Sequence, residues 1–261
     1  LSDYNEELSS MIWSFSRVNG YAQCKYSWYL RYLEDRDGQQ NIYAIFGKYC
    51  HKILEKYAKY ELKNEELSDY YTNHYKEEVT NLVFDMPDET IEKYYNFGLD
   101  YFQNCDLDLD KYDVLGVELK CNFKIGDFNF IGYIDLLLRD KLTQDIIVED
   151  HKSSEFPIGK RGGIKKKKEK DYVLYKRQLY LYCQDVFNTY GVYPKFLRWN
   201  YFREKQWLTL PFIQEEFEEA KQWAINTIND IYEENEFPAN QSFFYCRNLC
   251  NYRNSCEYKN Y

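Results

Sequence analysis

Two apolar runs, 128–138 and 146–150, each carry a carboxylate where a buried strand ordinarily has none. In the first, Gly132-Tyr133-Ile134-Asp135 is flanked by Ile131, Leu136 and Leu137. In the second, Ile146-Ile147-Val148 leads straight into Glu149-Asp150-His151-Lys152. A charge inside such a strand is costly unless it is paired or holds a cation. On a strand Asp150 and Lys152 project from one face, and Glu149 and His151 project from the other. The chain must therefore build a sheet that gathers Asp135, Asp150 and Lys152 at one mouth.

The rest of the chain supplies helices for such a sheet. Residues 1–110 read as mainly helical: Ala22 to Leu33 carries aromatic and aliphatic residues at helical spacing, with Cys24 near its start. Ile45 to Leu62 repeats the pattern through Phe46, Tyr49, Ile53, Leu54 and Tyr57. From Asp113 the period shortens. Val114 to Phe123, Phe128 to Leu138 and Ile146 to Asp150 read as strands, the first two joined as a hairpin around Gly126-Asp127. A helix from about Tyr172 to Phe187, strands at Phe196–Phe202 and Trp207–Leu210, and a helix from Glu215 to Glu233 follow. This order predicts an α/β (α+β) fold, a central mixed sheet flanked by helices. We divide it into a helical lobe (1–110), a sheet core (111–213) and a C-terminal helix with a cysteine-rich tail (214–261), all one integrated unit.

The formal charge of −9 argues against a polyanionic partner until its distribution is considered. Between Lys160 and Arg177 stand nine basic residues, among them Lys160, Arg161, Lys165, Lys166, Lys167, Lys168, Lys176 and Arg177, against two acidic ones, a local charge of +7. Focused charge of this kind attracts nucleic acid locally; the alternative is a solvated lysine loop. No apolar run approaches the ~20 residues of a membrane helix, and the opening segment Leu1–Glu7 is acidic where a signal peptide is basic. The expected setting is cytoplasmic.

Metal-assisted phosphodiester hydrolysis needs hard oxygen ligands, an oriented water and a cation beside the developing charge. Asp135 and Asp150 offer carboxylates, the His151 backbone carbonyl a further oxygen, and Lys152 the ammonium. Mg²⁺ is the expected metal, with Mn²⁺ as substitute. Glu118 on the first strand is a second-metal or hydrogen-bonding carboxylate, or a structural one.

This set resembles the PD-(D/E)XK nuclease superfamily, and within it the RecB-like branch found in CRISPR-adaptation exonucleases and AddB-type nuclease domains. Gly47-Lys48-Tyr49-Cys50-His51 is similar to that branch's Gly-x-x-x-His helix, which implies that His51 is a metal ligand. Gln178-Leu179-Tyr180-Leu181-Tyr182 is similar to its Gln-x-x-x-Tyr motif, which implies that Gln178 and Tyr182 meet the substrate strand and buttress Lys152. The resemblance also implies a restriction-endonuclease-like fold.

Of eight cysteines, Cys50, Cys105, Cys121 and Cys183 fall in apparent core elements and read as small hydrophobes. Cys246, Cys250 and Cys256 stand in a polar tail, and Cys24 lies near the other end of the chain. The resemblance implies that these four hold a structural [4Fe–4S] cluster. The spacing Cys-x3-Cys departs from that branch's Cys-x2-Cys, which leaves zinc as the alternative. The function expected from the whole is a metal-dependent DNA exonuclease acting on ends or single strands. A flap nuclease or endonuclease, or a non-cutting scaffold for recombination or CRISPR adaptation with its own protein partner, is the alternative. No Gly-x-x-x-x-Gly-Lys-Ser/Thr loop for a fused helicase is present.

Overall fold

The computed structural model describes residues 4–83, 86–105 and 107–259. Its centre is a five-stranded sheet in the order β1-β2-β3-β4-β5. β1 (Tyr112–Ile125) and β2 (Phe128–Asp140) form the expected hairpin, turning at Gly126 with a φ of +58° that favours glycine. β3 (Ile146–Lys152) pairs antiparallel with β2 and parallel with β4 (Phe196–Tyr201), and β5 (Gln206–Pro211) closes the far edge antiparallel. The sheet is therefore mixed, and the expected α/β architecture is the observed one.

Six helices precede or cross the sheet's faces: α1 (Asn5–Ser9), α2 (Phe15–Gln23), α3 (Lys25–Tyr32), α4 (Ile42–Ala58), α5 (Leu67–Glu78) and α6 (Asp88–Phe102). α7 (Glu169–Tyr190) makes the crossover between the parallel strands, and α8 (Gln214–Glu233) follows β5. Asn41 begins α4 by accepting the Ala44 N–H on its side chain, at 3.0 Å, satisfying a donor the helix leaves free.

Two apolar cores sandwich the sheet. On one face Val148, Leu137 and Ile134 pack against Leu179, Cys183, Phe217 and Ile228 of α7 and α8. On the other, Ile147, Leu136 and Leu138 pack against Phe46, Ile53, Tyr71 and Phe102 of α4 to α6. Burial of each large side chain here contributes roughly 1.5–3 kcal/mol, enough to keep both helical layers seated on the sheet. Cys50, Cys105, Cys121 and Cys183 are buried within these cores.

One expected element differs. The helix read from Ala22 to Leu33 is interrupted at Cys24, which is extended (φ −160°, ψ 109°) and serves as the junction of α2 and α3. Helical periodicity continues across the junction, so the pattern of apolar residues conceals it. Cys24 Sγ instead accepts the Asn240 N–H at 3.4 Å, a partner 216 residues away. Among the described residues no helix is long and apolar enough to cross a membrane.

Candidate active site

The site forms where the sheet comes apart. The β2–β3 ladder runs from Arg139–Ile146 to Leu136–Glu149 and stops there. One residue further, the Asp135 carboxylate takes the place of a backbone carbonyl and accepts the His151 N–H at 2.6 Å. Both hairpin strands break their alternation at this level. Ile134 and Leu136 belong to opposite cores, as do Leu119 and Val117. Glu118, at the break in β1, has a left-handed φ of +47°, an expensive conformation for a residue with a Cβ. The break turns Glu118 and Asp135 out of the two cores and into the gap.

Helix α4 brings the third group. His51 Nε2 lies 2.9 Å from the His151 carbonyl. A carbonyl can only accept, so Nε2 donates and Nδ1 carries the lone pair. Nδ1 sits 3.4 Å from Asp135 Oδ2. One turn earlier on α4, Gly47 faces Ser153, whose Oγ would be 3.3 Å from a Cβ at that position. Ligand atoms of His51, Glu118 and Asp135 all fall within 4.8 Å of one another, the only such group among the described residues.

The protonation behaviour of this trio follows first from burial and then from the neighbouring carboxylates. Burial, then the neighbouring Asp150, pushes the Asp135 carboxyl well above the usual carboxylate range, against the opposing His151 N–H and Lys152. Glu118 rises to about 7 for the same first reason, with Asp135 adding to it. His51 is held below the ordinary imidazole value, chiefly by burial. Two reluctant carboxylates and an imidazole lone pair facing one point are a donor set that fits a hard divalent cation.

Asp150 stands beside this group and outside its 4.8 Å limit. Its Oδ2 is 2.7 Å from Lys152 Nζ, a close ion pair. The ammonium is held from three further directions: it donates to Gln178 Oε1 at 2.8 Å, lies 4.4 Å from the centre of the Tyr175 ring, and feels the Asp135 charge. Burial opposes its charge, but Asp150 and Tyr175 outweigh that and the net shift is upward. Lys152 therefore stays cationic, suited to stabilising negative charge rather than to accepting a proton. Gln178 Nε2 donates in turn to Tyr182 Oη at 3.4 Å. The Tyr182 ring lies against Gly132, where a Cβ would come within 2.4 Å of Cε1. Here the glycine of Gly-Tyr-Ile-Asp seats the helix that holds Lys152.

Tyr175 was not among the residues singled out from the sequence. It precedes Gln178 by three and Tyr182 by seven, one stripe of a helix, and that spacing was the available signal. Lys48 and Lys52 also went unnoticed; they line an open cleft with His51, Glu55, Glu118 and Ser153.

On the opposite face of β3 the side chains do different work. Glu149 is fully buried against Arg198, with Nε to Oε2 at 2.5 Å, and Arg198 also donates to Tyr112 Oη at 3.0 Å. The His151 ring is buried beside Asn200, 3.3 Å away, and Asn200 donates to Tyr101 Oη at 2.6 Å.

The basic segment is less available than its composition suggests. Lys165 and Lys167 both pair with Glu155, at 3.0 and 2.7 Å, and together pull its carboxyl down to about 2. Lys168 pairs with Asp171 at 3.0 Å, Lys176 with Glu216, and Arg177 with Glu219. Lys160, Arg161, Lys166 and Lys170 are exposed and make no ion pair among the described residues. The four cysteines Cys24, Cys246, Cys250 and Cys256 line one pocket together with Leu30, Tyr245 and Tyr252. None of the four is in a disulfide, and the first three are buried.

The mixed sheet thus ends its central strands in a candidate metal-ligand group beside a braced lysine. The comparisons narrow this. Residues 12–257 match the PD-(D/E)XK nuclease superfamily, and the chain belongs to that family. A solved structure from Eubacterium rectale described as a "Putative exonuclease" is similar in fold, with a TM-score of 0.51 at 11% identity. The match covers 88% of this chain and 84% of that one. No curated protein matches.

Proposed function

We propose that this chain is a metal-dependent DNA exonuclease of the RecB-like type, acting on ends or single strands. The observation that carries this reading is the meeting of His51, Glu118 and Asp135 within 4.8 Å at the break in the sheet, next to the Asp150–Lys152 pair. Mg²⁺ or Mn²⁺ held by these residues, with Asp150 and the His151 carbonyl as further candidate ligands, would polarise the scissile phosphate and favour ionisation of the attacking water. The chain's own residues do the rest. Lys152 places a fixed positive charge where the phosphate gains negative charge. Asp150, Gln178 and Tyr175 hold that ammonium in place, and Tyr182 fixes Gln178. Lys160, Arg161, Lys166 and Lys170 are the members of the basic segment left to meet phosphate.

We further propose that Cys24, Cys246, Cys250 and Cys256 hold a structural [4Fe–4S] cluster, in a cytoplasmic setting that keeps the thiols reduced. Support comes from their meeting: the four cysteines, drawn from the two ends of the chain, line one pocket. The cluster would tie the α2–α3 junction to the tail.

End-labelled linear DNA and circular single strands, incubated with Mg²⁺ or Mn²⁺, test the reading. Nucleotides should be released from linear ends while the circles survive. Cut circles would favour the endonuclease alternative, and binding without cutting under either metal would favour the scaffold. An anaerobic preparation should be brown with stoichiometric iron and sulfide; colourless protein holding zinc would contradict the cluster.

A further inference from the structure

We infer that the outer face of the β1–β2 hairpin is a binding track for single-stranded DNA that leads away from the metal site. This rests on the proposed nuclease reading and adds where the substrate strand lies. Beyond the break at Glu118 and Asp135, one face of the hairpin is buried: Cys121, Phe123 and Ile125 with Phe130 and Ile134. The opposite face carries three cross-strand pairs in unbroken register, Lys120–Tyr133, Asn122–Ile131 and Lys124–Asn129. Helices α4 to α6 cover the neighbouring part of this face but not these pairs. Lys120, Asn122, Lys124, Asn129 and Tyr133 are all exposed, Tyr133 at 49%.

An uncovered, twisted sheet face with a solvent-exposed aromatic and two unopposed lysines has the chemistry of a single-strand platform. Bases of any sequence stack on an aromatic ring, and ammonium groups meet the phosphates. Neither Lys120 nor Lys124 makes an ion pair among the described residues, in contrast to the five residues of the basic segment neutralised by carboxylates. The geometry also suits an extended strand. Residues alternate on one face every ~6.8 Å, a step comparable to that between phosphates of an unstacked chain. The first pair, Lys120–Tyr133, lies two residues from Glu118 and Asp135, so a strand lying on the track ends with its scissile phosphate at the metal group. The asparagines supply hydrogen-bonding groups without sequence demand.

The test is fluorescence anisotropy of a labelled twelve-nucleotide oligothymidylate, measured in EDTA so that binding is read without cleavage, over a series of salt concentrations. The double variant Lys120→Ala/Lys124→Ala should bind more weakly and lose about 1.4 from the slope of log K against log salt, two contacts at ~0.7 each. Tyr133→Ala should weaken binding about tenfold with the slope intact, and Tyr133→Phe should bind as the wild type does. All three positions are exposed, and unchanged melting temperatures would confirm that the variants fold. The inference is overturned if the hairpin variants match the wild type in affinity and slope, or if the wild type binds no single strand. Absence of cleavage when Mg²⁺ is restored would count against the nuclease reading alone, because the binding result does not depend on it.

Discussion

The two faces of β3 carry the same kind of pair and put it to different use. Glu149 meets Arg198 on one face and Asp150 meets Lys152 on the other, both within 2.7 Å. Behind Glu149 the sheet is sealed: Arg198 packs between the rings of Tyr112 and Trp207, 5.0 and 5.1 Å from their centres, and the one further titratable ring at hand, the buried His151 imidazole 3.7 Å from Glu149, makes no three-ligand group with the pair among the described residues. Beside Asp150 the ladder has opened, and His51, Glu118 and Asp135 converge, with both carboxyls pushed up first by burial and then by neighbouring carboxylates. A buried ion pair that is closed on itself holds a fold in one arrangement. One that borders such a cluster is available for chemistry. The difference lies in where the β2–β3 ladder ends, one residue before Asp135.

Several substitutions put that contrast at risk. Lys152→Ala should lower kcat for DNA hydrolysis by about 10²–10³ or more, the usual consequence of removing a group that faces transition-state charge, as read in single-turnover cleavage. Glu149→Ala should instead cost about 3–5 kcal/mol of stability, because Arg198 is left buried without its partner. Urea unfolding measures this, and the rate per folded molecule should stay within a few-fold. If Glu149→Ala destroyed activity while leaving stability intact, the two faces would not differ as described. Gly132→Ala should fall between them. Its Cβ would press on Tyr182, at a cost of about 1–3 kcal/mol, and shift Gln178 from Lys152, so that melting temperature and kcat fall together.

The smallest expected effect is in the pH dependence. Glu118 titrates near 7 in the fold against an ordinary 4.5, so its proton is bound more tightly folded than unfolded. The stability this contributes to the metal-free protein is complete below pH ~4.5 and is lost as pH rises through about 7. Glu149, also raised to about 7, adds a loss of the same sign. Metal binding requires the deprotonated Glu118 and Asp135, and so removes only the site's share of that loss. Mn²⁺ should therefore raise the melting temperature by several degrees more at about pH 8 than at about pH 5.5. An equal rise at both values would detach these carboxylates from the metal.

Some of this was legible in the sequence because it is local. The strands, the hairpin turn at Gly126 and the common face of Asp150 and Lys152 depend only on period-two alternation. The fold class followed from the order of those elements. What was not legible depends on distant partners. Alternation puts Ile134 and Leu136 on one face, and the structure puts them on two, since Asp135 answers a backbone N–H of another strand. Part of the charge of the lysine-rich segment is cancelled by Glu155, Glu216 and Glu219, two of which come from α8. Cys24 interrupts a continuous helical pattern at a point where its Sγ accepts the N–H of the distant Asn240.

The central claim is that the group at the end of the ladder holds the metal that cleavage needs. Asp135→Asn tests it with least disturbance, since the amide oxygen can still accept the His151 N–H while the charge is gone. Mn²⁺ binding by electron paramagnetic resonance, read on the same samples as cleavage of end-labelled DNA, gives the answer. The wild type should bind Mn²⁺ and cut, stop cutting in EDTA, and lose both properties on Asp135→Asn. Undiminished metal-dependent cleavage by Asp135→Asn would contradict the account.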